Sequence, residues 1–337
     1  METLKMLWQG DVSKTGTFRP MCHAASVGEL PNGELMAVWY EGSYETAKDS
    51  VIMATTTCGF ADACFNMNPT MAWSWVKPDV LVRIPGSAVG NPTIHITSDG
   101  VVQVFFVILK GELWTSSQIA LYCFKSVATA QQGLGVRGAE FADMDFIPGC
   151  TVGWMTKNKL LELSEGIWLL PIYDEVHTCP LVLRSQDQGA SWRVFGDTTA
   201  IGVAEQPALV ELTDGRILML TRTKRGRIWR SYSYNRGLTW TASQPTALPN
   251  PDSGIDLVRT KAGRIVTVLN DLELGRDRLV MMVSEDEAGS WGMSQVVDQS
   301  GGEISYPVIF TAGNGLLHIL YTWQRIKIRH CILRELS

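Results

Sequence analysis

The sequence lacks the features that mark three classes of protein. Its 337 residues contain no apolar run near the roughly 20 residues that a membrane-spanning helix needs, so we expect no membrane partner. Lysine and arginine form no basic stripe and the formal net charge is −5, so we expect no nucleic-acid partner. The five histidines are isolated and no His, Asp or Glu cluster has ligand spacing, so we expect neither a metal ion nor another cofactor.

Cysteine is also used sparingly. The seven cysteines are odd in number, scattered, and never in C-x-x-C spacing, which predicts reduced and mostly buried thiols instead of a zinc site or a disulfide framework. The first residues, METLK, lack the basic and long apolar regions of a secretory signal. We therefore expect a cytoplasmic protein, or a secreted one whose signal has been removed.

The sequence does contain a repeated turn. Residues 185–192 read SQDQGASW, and residues 233–240 read SYNRGLTW, 48 residues later. A third copy at 284–291, SEDEAGSW, has Ala288 in the usual glycine position. We call this octapeptide an Asp box. Its Asp or Asn side chain caps backbone N–H groups, its glycine supplies a positive φ and its tryptophan anchors the turn, so we interpret it as scaffold.

Turn glycines followed by strand-like runs form a second periodicity. Six such turns occur, at Gly33, Gly100, Gly166, Gly215, Gly263 and Gly315. Their separations of 67, 66, 49, 48 and 52 residues suit one four-stranded blade with its loops. The pattern predicts an all-β fold, a six-bladed β-propeller with Asp-box hairpin turns. The segments 1–10 and 326–336 also have strand character, and the simplest arrangement places both in one blade that closes the ring.

Composition favours one domain over residues 1–337. By length alone the chain could form two domains, but no polar linker interrupts the repeats. Apolar residues make up 45% of the chain and charged residues 19%, which is sufficient for a large core. We therefore predict a single propeller domain.

Arginines near strand ends are candidates for a ligand site. In a propeller the inner strands and connecting loops converge on the axis, so functional residues should come one or two from each blade. Arg19 precedes the first predicted blade, Arg222 ends the run 217–222, and Arg276 lies ahead of the third Asp box. Guanidinium groups bind carboxylates through paired hydrogen bonds, so the three together predict an anionic site. Taken singly, each could be a surface ion-pair former.

Together these features resemble the sialidase (neuraminidase) superfamily, in its bacterial-neuraminidase-repeat branch. The resemblance covers essentially the whole chain, through the Asp boxes, the Phe18-Arg19-Pro20 motif and the later arginines. It implies a six-bladed propeller and an exo-glycoside hydrolase that releases a terminal acidic sugar. The positions that match the family's functional residues are Arg19, Asp49, Glu205, Arg222, Arg276 and Tyr306.

The resemblance implies a role for each of these residues. The arginines would bind the sugar carboxylate, with about 1.5–3 kcal/mol from each charge-assisted hydrogen bond. Tyr306 would attack the anomeric carbon, because a neutral phenol is not repelled by that carboxylate. Glu205 would accept the phenol proton. Asp49 would protonate the leaving oxygen and later activate water, so the anomeric configuration would be retained.

Several assignments stay open at this point. Glu41 and Glu45 lie close to Asp49 in the sequence and compete with it for the acid/base role. His23 follows the first arginine closely and would contact a sugar hydroxyl, act as an acid or base, or be a hydrogen-bonded core group. Three further segments end near blade boundaries and are either pocket walls or plain turns: 90–92, 157–159 and 173–175.

Two other functions compete with the hydrolase. The first is a hydrolase or lyase of the same fold that acts on another acidic saccharide, such as one containing uronic acid, with His23 and Tyr306 as acid and base. The second is a glycan-binding propeller without catalysis. All three functions predict an acidic glycan or oligosaccharide as the partner, and the sequence fixes neither the linkage nor the oligomeric state.

Overall fold

Six antiparallel sheets form the blades of a propeller in the computed structural model, which describes residues 3–12, 19–57, 73–125 and 145–336. This confirms the predicted fold class. The first strands of successive blades contact one another and therefore lie innermost. Phe18 of the predicted arginine motif, Cys58 and Cys64 lie outside the described residues.

The strands of each blade are antiparallel neighbours. Blade 1 contains β2 (Met21–Glu29), β3 (Leu35–Gly42), β4 (Val51–Thr56) and β5 (Asp79–Arg83). Blade 2 contains β6 (Val89–Ile96), β7 (Val101–Leu109), β8 (Ser117–Lys125) and β9 (Asp145–Phe146). Blade 3 contains β10 (Trp154–Thr156), β11 (Leu161–Glu162), β12 (Trp168–Asp174), β13 (Cys179–Ser185) and β14 (Arg193–Gly196).

The second half of the ring repeats this plan. Blade 4 contains β15 (Ala204–Glu211), β16 (Ile217–Thr223), β17 (Arg227–Ser233) and β18 (Gln244–Pro249). Blade 5 contains β19 (Asp256–Arg259), β20 (Ile265–Leu269), β21 (Arg278–Ser284) and β22 (Gln295–Gln299). Blade 6 contains β23 (Ile304–Thr311), β24 (Leu317–Trp323), β25 (Lys327–Glu335) and β1 (Leu4–Asp11). Short 3₁₀ turns occur at Trp114–Ser116, Ser164–Gly166 and Thr198–Ala200.

Blade 6 is built from both ends of the described chain. Strand β1 pairs antiparallel with β25, from Leu4 opposite Glu335 to Asp11 opposite Arg329. Because β1 is the outer strand of a blade whose other three strands come last in the sequence, this pairing closes the ring. The predicted contribution of both terminal segments to one blade is confirmed.

The turn glycines all occupy equivalent positions. Each lies in the turn that precedes the second strand of its blade and has φ between +72° and +89°. In blade 3, where β10 and β11 both pair with β12 and share the first position, that second strand is β12. An L side chain is strained in this backbone region, whereas glycine adopts it freely, so the turn selects the residue. The six glycines of the sequence pattern therefore mark the six blades, as predicted.

The Asp boxes join the third and fourth strands of blades 3, 4 and 5. In the first box, Asp187 accepts a hydrogen bond from the backbone N–H of Ser191 at 2.8 Å, and Ser185 Oγ accepts one from Gly189 at 2.8 Å. In the third box Ala288 replaces the glycine and has φ +63°. These side chains bond their own turn, which agrees with a structural role.

The hydrophobic core is divided among the interfaces between blades. Between blades 1 and 2, Val38 and Tyr40 pack in one buried cluster with Val104 and Phe106. Similar clusters fill other interfaces, so strand runs such as β3 are buried on both faces. The described residues include no helix long and apolar enough to cross a membrane.

The described cysteines are free thiols. Cys22, Cys179 and Cys331 are buried, whereas Cys150 is half-buried and Cys123 is exposed. Burial raises the pKa of the Cys331 thiol to about 12, so that thiol is protonated at neutral pH. For these five residues the prediction of reduced, mostly buried thiols is confirmed.

Gly237→Ala in the second Asp box is expected to lower the free energy of unfolding by about 3 kcal/mol. The new Cβ would lie 2.8 Å from Cδ2 of buried Leu169, at a residue with φ +85°. The left-handed backbone costs about 1–2 kcal/mol and the overpacking about 1–3 kcal/mol. Urea denaturation measures the loss.

Gly215→Ala is the matched control for this prediction. Its φ is +82°, but no heavy atom lies within 4 Å of the added Cβ. Only the backbone cost of about 1–2 kcal/mol should then appear. Equal losses in both variants would show that the contact with Leu169 contributes nothing.

Candidate functional site

A pocket of about 200 Å³ opens at one end of the propeller. Its walls come from the hairpins between the second and third strands, which supply one lining residue per blade: Glu45, Trp114, Glu175, Lys224, Arg276 and Arg325. None of the described residues that line it belongs to an Asp box or a turn glycine. Those turns join other strand pairs, at the opposite edge of the blades.

The floor of the pocket is built from the first strands. Nine positions before each turn glycine lies one residue that we call axial, and the six axial residues are Ala24, Asn91, Lys157, Gln206, Gly254 and Tyr306. Three of them line the pocket. A Cβ on Gly254 would lie 3.0 Å from Cε of Lys157 and 3.2 Å from Oε1 of Gln206, so axial residues of different blades meet.

Backbone bulges turn four axial residues out of their sheets. Ala24, Asn91, Gln206 and Tyr306 have φ between +45° and +52°, each at a register shift of its first strand. The last three are followed by proline, which is tolerated because a bulged residue leaves the hydrogen-bond ladder. Positive φ is rare for tyrosine, and such strain is concentrated at functional sites.

The Tyr306 hydroxyl oxygen lies between two donors. It accepts hydrogen bonds from Nε2 of Gln206 at 3.0 Å and Nη1 of Arg222 at 3.1 Å. The Tyr306 ring centroid lies 4.1 Å from that of His23, which is buried behind it. Burial lowers the pKa of His23, so its ring is neutral. Gln206 also donates to the Tyr173 hydroxyl at 3.3 Å.

Three guanidinium groups line the pocket. Arg222 donates from Nε to Asp252 at 2.8 Å and lies 3.4 Å from Oε1 of Glu205. Arg276 contacts Glu303 at 3.4 Å, and Arg325 donates to that same carboxylate at 2.7 Å. Arg325 also pairs with Glu45. The carboxylates hold the guanidinium groups in fixed orientations before any ligand arrives.

The structure places Arg222, Arg276, Glu205 and Tyr306 of the sequence-derived set together in the pocket lining. His23 lies directly behind Tyr306, with Nε2 3.8 Å from Oε1 of Glu45. The contact of these residues with a substrate stays a prediction.

Arg19 and Asp49 are not among the lining residues. Arg19 donates from Nε to the backbone carbonyl of Asp49 at 3.1 Å, and the third guanidinium of the pocket is that of Arg325. The Asp49 carboxylate accepts from the hydroxyl and N–H of Ser43 at 2.6 and 3.1 Å. These hydrogen bonds lower the pKa of Asp49, so it is ionised at neutral pH and poorly suited to donate a proton.

The two competitors of Asp49 are placed differently. Glu45 lines the pocket beside Arg325. Glu41 is buried in β3 and accepts a hydrogen bond from Nε1 of Trp39 at 3.0 Å. Of the three carboxylates that the sequence left open, the pocket lining therefore includes Glu45.

Glu175 is a further carboxyl group of the pocket. It follows β12, and its backbone N–H donates to the carbonyl of Gly153 at 2.8 Å. Burial, together with the negative charge of Glu205, raises the pKa of Glu175 to about 7. The pocket thus combines a carboxyl group that titrates near neutrality with one that is paired to Arg222.

Lys157 and Asn158 of blade 3 form hydrogen bonds with blades 4, 5 and 6 beneath the pocket. The buried Lys157 ammonium donates to the carbonyls of Ile255 and Pro307 at 3.0 and 2.7 Å. Asn158 donates to the carbonyl of Pro207 at 2.8 Å. Burial lowers the pKa of Lys157 to about 7. The sequence placed this segment at a pocket wall or in a turn, and the structure places it in the floor.

The described residues contain no group of three or more His, Cys, Asp or Glu side chains that could hold a metal ion. Histidine is less isolated in space than along the chain, since Nδ1 of His318 lies 2.9 Å from Nε2 of His330. The two residues are diagonal neighbours on β24 and β25, where His318 lies opposite Ile332 and His330 opposite Leu320, a proximity that sequence separation does not reveal. Both are buried, and burial lowers the pKa of each.

The sequence reasoning missed Arg325, and it named Glu175 only within the segment 173–175, as part of a pocket wall or a turn; the structure places Tyr173 and Glu175 in the lining. Arg325 and Glu175 lie in hairpins that carry no motif, ten residues after Gly315 and nine after Gly166. The pocket residues of the other four hairpins lie nine to fourteen residues after their turn glycines. The whole set therefore falls within a window of nine to fourteen residues after the turn glycines.

A six-bladed propeller with arginines, carboxylates and a bulged tyrosine around its axial pocket defines a propeller of the sialidase fold. The chain belongs to the BNR repeat-like domain family, whose sequence profile matches residues 33–319. The family match confirms the predicted membership of the bacterial-neuraminidase-repeat branch, and the sialidases among the structural neighbours share its fold. A comparison with curated protein sequences finds no match.

Solved structures share the fold at low sequence identity. A protein of unknown function from Dyadobacter fermentans aligns with a TM-score of 0.75 and 13% identity over 100% of both chains. The NanB sialidase from Streptococcus pneumoniae aligns with a TM-score of 0.71 and 13% identity over 99% of this chain and 71% of its own. The intramolecular trans-sialidase from Ruminococcus gnavus, in complex with oseltamivir carboxylate, aligns with a TM-score of 0.65 and 14% identity over 95% of this chain and 95% of its own. At these identities the similarity establishes the fold alone.

Proposed function

We propose that the protein is an exo-acting glycoside hydrolase of the sialidase type, which releases a terminal acidic sugar with retention of configuration. The observation that carries this proposal is the Tyr306 oxygen, which a strained backbone holds against Arg222 in a pocket lined by two more arginines. A tyrosine nucleophile distinguishes sialidases from glycosidases that use two carboxylates.

The side chains of the pocket can bind the sugar carboxylate, attack the anomeric carbon and accept the phenol proton. Arg222, Arg276 and Arg325 supply charge-assisted donors for a sugar carboxylate. Tyr306 attacks the anomeric carbon, and Glu205, which shares the Arg222 side chain with it, accepts the phenol proton. Tyr306 attacks the face opposite the leaving group, and water later attacks the face opposite Tyr306, so the two inversions together retain the configuration.

His23 supports a second candidate function. Its neutral ring packs 4.1 Å from the Tyr306 ring, between centroids, so an imidazole and a phenol lie together beside the arginines. Such a pair serves as base and acid in an elimination that removes the proton α to a uronic acid carboxylate. This lyase or hydrolase of another acidic saccharide is the alternative to the sialidase-type reaction.

A substrate panel tests the proposal and separates it from its competitors. Wild type and Glu205→Gln are incubated with a fluorogenic α-sialoside and with uronic-acid oligosaccharides. We expect release of sialic acid by wild type and its loss in the variant. Ultraviolet-absorbing unsaturated products from the uronates, formed equally by the variant, would support the lyase instead. Acidic sugars that bind to both proteins without turnover would support a non-catalytic glycan-binding propeller.

A further inference from the structure

Three of the four carboxyl groups that line the pocket are bound to arginine. Glu45 pairs with Arg325, whereas Glu205 and Asp252 both contact Arg222. Within the described part of the chain, the Glu175 carboxyl forms no hydrogen bond or ion pair, and the charges of Arg222 and Lys224 favour its ionised form only from a distance. A carboxyl group without a cationic partner is the one whose ionised form is stabilised least.

The hairpin around Glu175 holds this residue in place. The backbone N–H of Glu175 bonds to Gly153, and the preceding Asp174 accepts from the N–H groups of Val176 and His177 at 2.8 and 3.0 Å. Asp174 also lies 2.8 Å from Nδ1 of His177. Glu175 is therefore presented to the pocket from a fixed turn, while its own carboxyl group is left available for a ligand.

Two glutamates of the pocket have different environments, which suit Glu175 to donate a proton and Glu205 to accept one. Burial, reinforced by the charge of Glu205, raises the pKa of Glu175 to about 7, so a large fraction of its carboxyl groups carry a proton at neutral pH. Glu205 instead lies beside the Arg222 guanidinium. Carboxyl groups whose environments separate them in this way commonly act as acid and base.

We propose that Glu175 protonates the leaving group in this pocket, a role that the resemblance gave to Asp49. The inference rests on the proposed function. The bond from the anomeric carbon to the leaving oxygen breaks as the bond to the Tyr306 oxygen forms. The leaving oxygen takes the proton of Glu175, and the phenol proton passes to Glu205.

The second half of the reaction restores every group. Glu175, now a carboxylate, takes a proton from water as the water oxygen bonds to the anomeric carbon. The Tyr306 oxygen leaves and recovers its proton from Glu205. The sum is hydrolysis of the glycosidic bond with no change in the protein.

The test exploits the need of a leaving group for a proton. An aryl alcohol of low pKa departs as an anion, whereas a sugar alcohol must be protonated. Glu175→Gln should therefore lose activity on a sialyl-oligosaccharide on the order of 10²- to 10⁴-fold, the usual contribution of a general acid, and much less on an aryl sialoside. Its activity on the oligosaccharide should also lose the decline above about pH 7 that wild type is expected to show.

Two comparisons keep this test specific. Glu112→Gln is the matched control, since Glu112 is 85% exposed on the same end of the propeller and pairs with the exposed Lys48 at 3.8 Å. It should retain wild-type rates on both substrates. If Asp49→Asn shows the leaving-group dependence and Glu175→Gln does not, Asp49 is the acid and the proposal is overturned.

Infrared difference spectra separate failure of this inference from failure of the proposed function. Wild type minus Glu175→Gln should contain a protonated carboxyl band at pH 6 that disappears by pH 8.5. A carboxylate at pH 6 would overturn the acid assignment even if sialosides are cleaved. If the band is present but no glycoside is cleaved, the proposed function fails, and the acid role fails with it.

Discussion

The variant Tyr306→Phe is expected to lose sialoside hydrolysis on the order of 10³-fold or more in kcat. Phenylalanine keeps the ring that packs on His23 but removes the oxygen that accepts from Gln206 and Arg222. Without that oxygen no covalent intermediate can form, and loss of a nucleophile is among the largest single effects in enzymes. Steady-state kinetics on the fluorogenic α-sialoside measure the change.

The matched control is Tyr173→Phe. The Tyr173 hydroxyl lies in the same network, where it accepts from Gln206 at 3.3 Å and Asn91 at 3.4 Å. Tyr173 is buried and Tyr306 half-buried, and both hydroxyl groups accept a hydrogen bond from Gln206. Because the mechanism forms no covalent bond to Tyr173, we expect a loss of less than about tenfold, the effect of one hydrogen bond. Equal losses in the two variants would argue against a tyrosine nucleophile at position 306.

Arg222→Lys is expected to lower kcat/KM for an acidic glycoside by about 100-fold. The guanidinium connects Glu205, Asp252, Gln206 and the Tyr306 oxygen at once, which a lysine ammonium cannot do. Two lost charge-assisted hydrogen bonds at about 1.5 kcal/mol each account for this magnitude. The loss should appear mainly in kcat, because the variant retains a positive charge for the substrate.

Arg225→Lys serves as the control for the same chemical change. Arg225 is exposed in the neighbouring hairpin, one residue beyond the lining Lys224. Its kinetics should match those of wild type. An Arg222→Lys variant with unchanged kcat and only a raised KM would show that Arg222 binds the substrate without orienting Tyr306.

The fold could be predicted because its signals are local. A turn glycine with positive φ or an Asp box is specified within eight residues; the glycine recurs in every blade, and the Asp box in blades 3, 4 and 5. Even Ala288 could be placed correctly, since the serine and aspartate of its box kept the spacing. The closing blade followed from strand character at both ends of the sequence.

The site was only partly predictable because its residues come from different blades and approach one another only in the closed ring. Glu205, Arg222, Arg276 and Tyr306 matched family positions and do share the pocket. Arg325 and Glu175 have no neighbouring motif. Arg325 matters because it pairs with Glu45 of the adjacent blade 1, and Glu175 because it has no such partner among the described residues. Pairing and burial of that kind are properties of the assembled propeller.

The order of synthesis gives the pairing of β1 with β25 a consequence for biogenesis. Of the described strands, β1 leaves the ribosome first, yet Leu4 pairs with Glu335, the last position of the last strand. Blades 1 to 5 can each complete their hydrogen bonds during translation, whereas β1 must wait for nearly the whole chain. Such a nonlocal contact is slow to form, and an unpaired strand edge is prone to aggregate. A chaperone that shields β1 during translation would therefore raise the yield of closed rings.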